Sequence, residues 1–201
     1  MILIGQFDSP FVRRVGIALR LYGIPFEHRP WSTFADADRL AAYNPLRRVP
    51  TLVLDDGEVL IESGAILDHL DEVVGPDRAM VPARGPERRQ ALRLTALATG
   101  LADKAVSLVY ERVLHQQVSD LWIARCRTQI AGVLDALEQA DGFGRSTSHA
   151  DIMLACALRF LTEAHPGLFD PARWSKLADH AERHEARAEF QAIAQTFDPP
   201  S

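Results

Sequence analysis

Three short runs in the first third of the chain bring together residue types suited to holding an anion and a small peptide. Ser9-Pro10 follows the apolar run Ile2-Leu3-Ile4 and precedes a helix-period pattern. The Ser9 hydroxyl therefore stands at a helix mouth, where it can donate a hydrogen bond to a bound anion while the helix dipole adds a favourable field. The run Asn44-Pro45-Leu46-Arg47-Arg48-Val49-Pro50-Thr51-Leu52 delivers a proline to the start of a strand and reads as a docking edge for a small peptide. Glu62-Ser63 then opens another helix. Its serine hydroxyl and free amides suit a carboxylate, and Glu62 can pair with an ammonium, so together they offer both signs to a zwitterion. Each run also has a plain structural reading. Ser9 and Ser63 are good helix caps, Pro50 can simply open an edge strand, and Arg48 can be a solvated surface arginine.

Other chemistries are disfavoured by spacing. His180 and His184 stand four residues apart, as two metal ligands on one helix face would, but no HExxH-type carboxylate accompanies them, and the expectation is solvated helix surface with no metal site. Ser148, His149 and Asp151 are too close in sequence to align as nucleophile, base and orienter, and they match a helix capping box instead. Thr147 precedes that cap, where an aliphatic residue would form a hydrophobic staple. Cys126 and Cys156 lie in helical patterns without CxxC spacing, which offers no disulfide or metal framework.

The elements that must position these groups follow from periodicity and punctuation. Up to about Gly75 the pattern alternates between strand and helix periods: a strand at Ile2-Leu3-Ile4, a helix over 10–22 stopped by Gly23 and Pro25, a strand over 26–29 and a short helix over 34–42. A hairpin of 51–54 with 59–61 turns at Asp55-Asp56-Gly57, and a helix over 63–74 closes the unit. The proline- and glycine-rich stretch 76–86 reads as a linker. Beyond it, Leu94, Leu97, Leu101, Ala105 and Leu108, then Ile123, Ile130, Leu134 and Leu137, recur at helical steps and define two long amphipathic helices. Three shorter helices follow, the first after the capping box, the others after Pro171 and about His184. The expectation is two domains, 1–75 and 87–201, the first α/β and the second all-helical.

With a net charge of -5 and no basic cluster longer than scattered arginine pairs, the chain is a poor nucleic-acid binder. No apolar run approaches the roughly 18 residues of a membrane span, and the first residues lack the basic flank of a signal peptide, so a cytoplasmic location is expected.

Taken together, Ser9-Pro10-Phe11-Val12, Arg48-Val49-Pro50 and Glu62-Ser63 resemble the glutathione-binding half of the cytosolic glutathione transferases of serine type. The resemblance implies a thioredoxin-like N-terminal domain followed by an all-α C-terminal domain. It implies that Ser9 stabilises the thiolate of bound glutathione, and that Val49 presents its main chain across a cis bond to Pro50. Arg48 would face the glycine carboxylate, Glu62 and Ser63 would hold the γ-glutamyl end, and Asp103 would serve the γ-glutamyl amine of a partner subunit in a homodimer. A thiol of pKa about 8.5 lowered by about 2 units gains at most roughly thirtyfold in thiolate at neutral pH, and detoxifying conjugation of a small hydrophobic electrophile needs no more. Phe11, Tyr110 and Trp174 would wall the electrophile pocket. Tyr22 lies at the wrong end of the first helix and no cysteine precedes Cys126, so tyrosine- and cysteine-based variants, glutaredoxin chemistry included, are excluded. Two alternatives keep the fold: a non-catalytic scaffold, and an isomerase or dehalogenase that returns glutathione unchanged.

Overall fold

The computed structural model describes residues 1–143 and 147–199. The first half is a four-stranded mixed sheet of order β2-β1-β3-β4, built from β1 (Ile2–Ile4), β2 (Glu27–Arg29), β3 (Thr51–Val53) and β4 (Val59–Ile61). Strand β1 pairs parallel with β2 and antiparallel with β3, which pairs antiparallel with β4. Because side chains alternate across a strand, Leu3 and Leu52 enter the core shared with helices α1 (Pro10–Tyr22) and α3 (Ser63–Val74), while Ile4 and Val53 face Leu40 of α2 (Ala37–Ala41) on the other side.

Helix α1 has the ends its sequence requires: Ser9 as N-cap, Pro10 in the first turn and Gly23 in the left-handed conformation (φ 68°) behind the last turn. Its apolar residues Val12, Val15, Ile17, Ala18 and Leu19 are all fully buried, since the helix is covered by the sheet and α3 on one side and by α6 (His149–Ala164) on the other. That double cover draws Arg13 and Arg14 into the interior as well. Arg13 is paired there, donating to both carboxylate oxygens of Glu185 at 2.5 and 2.8 Å and to the Ile193 carbonyl at 2.7 Å.

The second half packs α4 (Gly85–Leu114), α5 (Asp120–Glu138), α6 and α7 (Ser175–Glu185) around one core that includes Leu101, Leu108, Ile130, Leu134, Leu158 and Leu177, with α8 (Ala188–Gln191) closing onto α1. Helix α4 begins two residues inside the stretch read as linker, because Pro86 stands in its first turn rather than before it. The capping box at Ser148 and Asp151 is complete in both directions. Thr147 supplies no staple; its hydroxyl accepts a hydrogen bond from Arg187.

One expectation is overturned in α7. His180 and His184 are buried, not solvated, with 2% and 6% of their surfaces exposed. The polar helix α7 lies against the start of α6, and the His180 ring is seated between Phe143 and His184. A short polar helix signals an outer face by composition alone, and only the packing reveals which polar side chains are enclosed.

Candidate functional site

Two cavities lie side by side where the sheet's connecting loops meet α4. The first, about 580 Å3, is lined by Arg48, Val49, Pro50, Glu62 and Ser63 together with Arg14. The second, about 500 Å3, contains Ser9 and aromatic walls from Phe11, Phe34, Tyr110, Phe160 and Phe197. Phe11, Arg48, Val49 and Asp103 line both, so the two spaces share a wall.

The shared wall is set by close packing around Gly5. This residue follows β1 at φ 131°, and a Cβ placed on it would lie 2.6 Å from Val12 Cγ2 and 2.7 Å from Val49 Cβ. Only a glycine allows the Val49 loop to press so closely on the end of β1 and the start of α1. The Val49–Pro50 peptide bond is cis. Asn44 braces the loop from inside, donating from its amide to the Arg48 carbonyl at 2.9 Å and to the Thr51 hydroxyl at 3.2 Å. Val49 itself makes no main-chain hydrogen bond among the described residues, which leaves an N–H and a C=O at the cavity wall for an added extended segment.

At the far side, α3 starts in an unusual backbone. Glu62 is held at φ 71° and ψ 120°, a conformation that costs a residue with a side chain about 1–3 kcal/mol. In this position its carboxylate accepts from the Gly64 N–H at 3.3 Å and from the Ser63 hydroxyl at 3.1 Å. Ser63 is buried, and its oxygen accepts a 2.6 Å hydrogen bond from Arg14 Nη2.

Arg14 is the residue sequence reasoning missed. Its guanidinium is buried, donates to Ser63 and to the Thr99 hydroxyl at 3.2 Å, and leaves Nε without a partner. No carboxylate forms an ion pair with it among the described residues. Burial pulls its pKa down to about 10, with the charge of Glu62 acting in the opposite direction. The floor of the first cavity therefore carries a buried guanidinium with no direct ion pair among the described residues, and the Glu62 carboxylate, linked to it through Ser63, is the main opposing charge that acts on it. The one available signal was that Arg13 and Arg14 are consecutive on a helix whose other residues are largely apolar.

Ser9 caps α1 through a long contact, its Oγ accepting from the Val12 N–H at 3.5 Å. Its hydrogen thus remains available for an acceptor in the second cavity, and the amides of the first turn lie behind it. Asp8 stands next to it, with its carboxyl raised above the ordinary range by burial, partly countered by the N–H groups of Asp198 and Ser9. The chain's last described stretch covers this space. Phe197 meets Phe160 edge to face and donates its N–H to Glu163 at 2.8 Å, and the Asp198 N–H reaches Asp8 at 3.4 Å.

Not every expected residue joins the site. Arg48, Val49, Pro50, Glu62, Ser63 and Asp103 line the first cavity, and Ser9, Phe11 and Tyr110 line the second. Trp174 does neither. It is 5% exposed, stacked on Phe169, and donates from Nε1 to Asp135 at 2.8 Å, which makes it a core residue of the helical half. Asp103 lies on the chain's own cleft and pairs with Lys104 at 2.9 Å. His149 and Asp71, also unforeseen as site residues, close the inner end of the first cavity with a 2.8 Å contact.

Comparison with known proteins agrees with this geometry. Residues 3–78 match the glutathione S-transferase N-terminal domain and residues 120–183 match the glutathione S-transferase C-terminal domain. The GST-like protein YibF of Escherichia coli (strain K12) is 34% identical over 167 residues, covering 80% of this chain and 82% of that protein. A glutathione S-transferase of Methylobacterium radiotolerans, solved in complex with glutathione sulfonate, superposes with a TM-score of 0.89 at 31% identity, covering 100% of this chain and 98% of the other. The holo structure of a bacterial zeta-class maleyl pyruvate isomerase superposes with a TM-score of 0.81 at 25% identity, covering 96% of each chain.

Proposed function

The chain belongs to the glutathione S-transferase family, and we propose that it binds glutathione in the first cavity, holds the sulfur as thiolate beside Ser9, and directs it at an electrophilic carbon in the second. The observation that carries this reading is the shared wall at Val49: one residue with unpaired main-chain groups borders both a charged cavity and an aromatic one. The cysteinyl part of the tripeptide lies along Val49, its γ-glutamyl carboxylate at the Ser63 hydroxyl and the α3 amides over Arg14, and its ammonium at Glu62 and Asp103. Arg48 takes the glycine carboxylate. The Ser9 Oγ–H donates to the sulfur, the thiol proton leaves to solvent, and a sulfur lone pair forms the new carbon–sulfur bond as the leaving group departs with its bonding electrons.

The second substrate is small and largely apolar, because Phe11, Phe34, Tyr110, Phe160 and Phe197 line the cavity that contains Ser9. A cytoplasmic homodimer is the assembly this reading entails. Leu92, Val113, Leu114, Leu121 and Trp122 are exposed along α4, α5 and the turn between them, and a second copy would cover them. The likeness to the maleyl pyruvate isomerase favours a second reading, in which the same thiolate adds to an unsaturated substrate and is expelled again. Product analysis separates the two, since conjugate accumulates in one and free glutathione is conserved in the other.

The deciding experiment is a thiolate absorbance titration of bound glutathione. The parent chain should lower the thiol pKa by about 2, and Ser9→Ala should return it most of the way toward about 8.5. The cap contact is so long that losing it costs at most about 1 kcal/mol, so the variant stays folded. An unshifted pKa in the parent chain removes the assignment.

A further inference from the structure

His180 and His184 are one turn apart on α7, with ring centroids 4.1 Å apart and planes inclined at 31°. Both are enclosed, and both have one nitrogen committed to the main chain. His180 Nε2 lies 3.1 Å from the Asp151 carbonyl and His184 Nδ1 lies 2.9 Å from the His180 carbonyl. A carbonyl only accepts, so these nitrogens carry the protons, and the ring lone pairs fall on His180 Nδ1 and His184 Nε2. His180 Nδ1 is buried with no hydrogen-bond partner among the described residues. The Asp151 carboxylate stands opposite, oriented by the capping box: its Oδ2 accepts from the Ser148 N–H at 2.9 Å and from the Ser148 hydroxyl, and its Oδ1 is 3.9 Å from His180 Nδ1. One donor atom from each of the three residues lies within 4.8 Å of the other two.

We propose that Asp151, His180 and His184 form a binding site for a divalent metal of the zinc type, separate from the glutathione cleft. Three features carry this. First, metal-bound histidines fix their tautomer by donating the other ring N–H to a carbonyl or carboxylate, and both rings here do so. Second, a buried lone pair without a donor is costly, and coordination satisfies it. Third, two imidazoles and one carboxylate are a donor set that suits zinc or cobalt(II), with a water in the fourth position. Of the three residues, His180 lines a cavity of about 320 Å3, together with Asp141, Phe143, Lys176, Asp179 and Arg183, and this cavity provides the entry path. Metal–nitrogen bonds of about 2.1 Å set tetrahedral donors roughly 3.4 Å apart, so the three side chains draw in by about an ångström on binding. Bound metal ties the first turn of α6 to α7 as a staple, independent of any step at Ser9.

The test uses the full chain, stripped with a chelator and dialysed at neutral pH. One equivalent of zinc should be retained, and a hundredfold excess over the dissociation constant should raise Tm by roughly 5–10 °C. Cobalt(II) should give the visible absorption of a four-coordinate site without the charge-transfer bands of cysteine thiolate. His184→Gln and His180→Gln should each weaken retention at least a hundredfold. Should either variant fail to fold, histidine labelled with 15N in the parent chain gives the same answer: zinc must move an Nδ1 resonance of one ring and an Nε2 resonance of another. A folded parent chain that releases all its zinc on dialysis overturns the proposal, as do sulfur charge-transfer bands with cobalt or full retention in the folded histidine variants. In the first case a water occupies the gap instead.

Discussion

Replacing Arg14 by methionine sets the two roles of a buried charge against each other. A guanidinium whose pKa falls from its ordinary value to about 10 is held in its charged form at a cost of about 3 kcal/mol, taking about 1.4 kcal/mol for each pKa unit. The sign is that of a base made less basic by burial. The cost is present in full at pH 7 and fades only as pH rises from about 10 toward that ordinary value. Against it stand two hydrogen bonds, to Ser63 and Thr99, worth about 1 kcal/mol each. Methionine fills similar space with no charge, so the ligand-free chain should gain about 1 kcal/mol and 2–4 °C in Tm. Glutathione, however, loses the positive charge beneath its γ-glutamyl carboxylate. A hydrogen bond to a charged group contributes about 1.5–3 kcal/mol, so affinity should fall roughly ten- to a hundredfold. Calorimetric titration with glutathione and thermal melts on the same preparations measure both quantities. A variant destabilised by 2 kcal/mol or more that binds glutathione as tightly as the parent would refute this reasoning and make Arg14 a structural strut.

Gly5→Ala should cost about 1–3 kcal/mol and weaken glutathione binding more than tenfold, because its Cβ meets Val12 and Val49 at 2.6 and 2.7 Å; Gly57→Ala, with φ 90° but nothing within 4 Å, should cost stability alone. Equal effects of the two on ligand affinity would show that the Val49 wall is not set by Gly5. Asp71 sits between His149 and the Tyr22 hydroxyl; burial alone would raise its carboxyl, but those two partners and the Met80 N–H hold it below 3.8. Its contribution is therefore complete above about pH 4 and is lost as pH falls through the lowered value. Urea melts should find Asp71→Asn weaker than the parent by about 1.5–3 kcal/mol at pH 5, with the gap closing toward pH 2; a gap that persists there contradicts the assignment.

How much of this was legible in the sequence depended on whether a residue's role is local. Helix α1 and helix α3 were readable to the residue because their ends are written in local chemistry: Ser9-Pro10 and Gly23 for one, Glu62-Ser63 for the other. The loop that delivers Pro50 to the start of β3 was readable because proline and its flanking residues act on their own backbone. Helix α2 is shorter than its pattern implies, since Ser32 and Asp36 exchange hydrogen bonds with the turn ahead of it and delay the first helical residue to Ala37. Arg14, Trp174 and the α7 histidines were misjudged or missed for one reason. Arginine, histidine and tryptophan are surface or pocket residues by composition, and only a specific tertiary partner makes them interior. Ser63, Asp135 and the Asp151 carbonyl are 49, 39 and 29 residues away from the groups they bind, beyond the reach of any local period.

Four of the places where the chain breaks its own local rules fall together, although others, Arg47 at a positive φ and the buried Gln129 Oε1 among them, lie elsewhere. Glu62 sits at a positive φ, and among the described residues Arg14 Nε and His149 Nδ1 are buried without hydrogen-bond partners and the Val49 main chain is unpaired. All four residues line the same cavity. A chain folding for stability alone would relieve each of them cheaply, with a glycine at 62, an apolar residue at 14 and a paired strand at 49. Their concentration at one wall supports the proposed glutathione site, since strain and unpaired polar groups collect where a chain is shaped for a ligand rather than for stability. Another buried atom without a hydrogen-bond partner among the described residues, His180 Nδ1, lies instead beside Asp151 and His184. Its separation from the cleft is why it calls for an occupant of its own, and why glutathione and zinc should bind without competing.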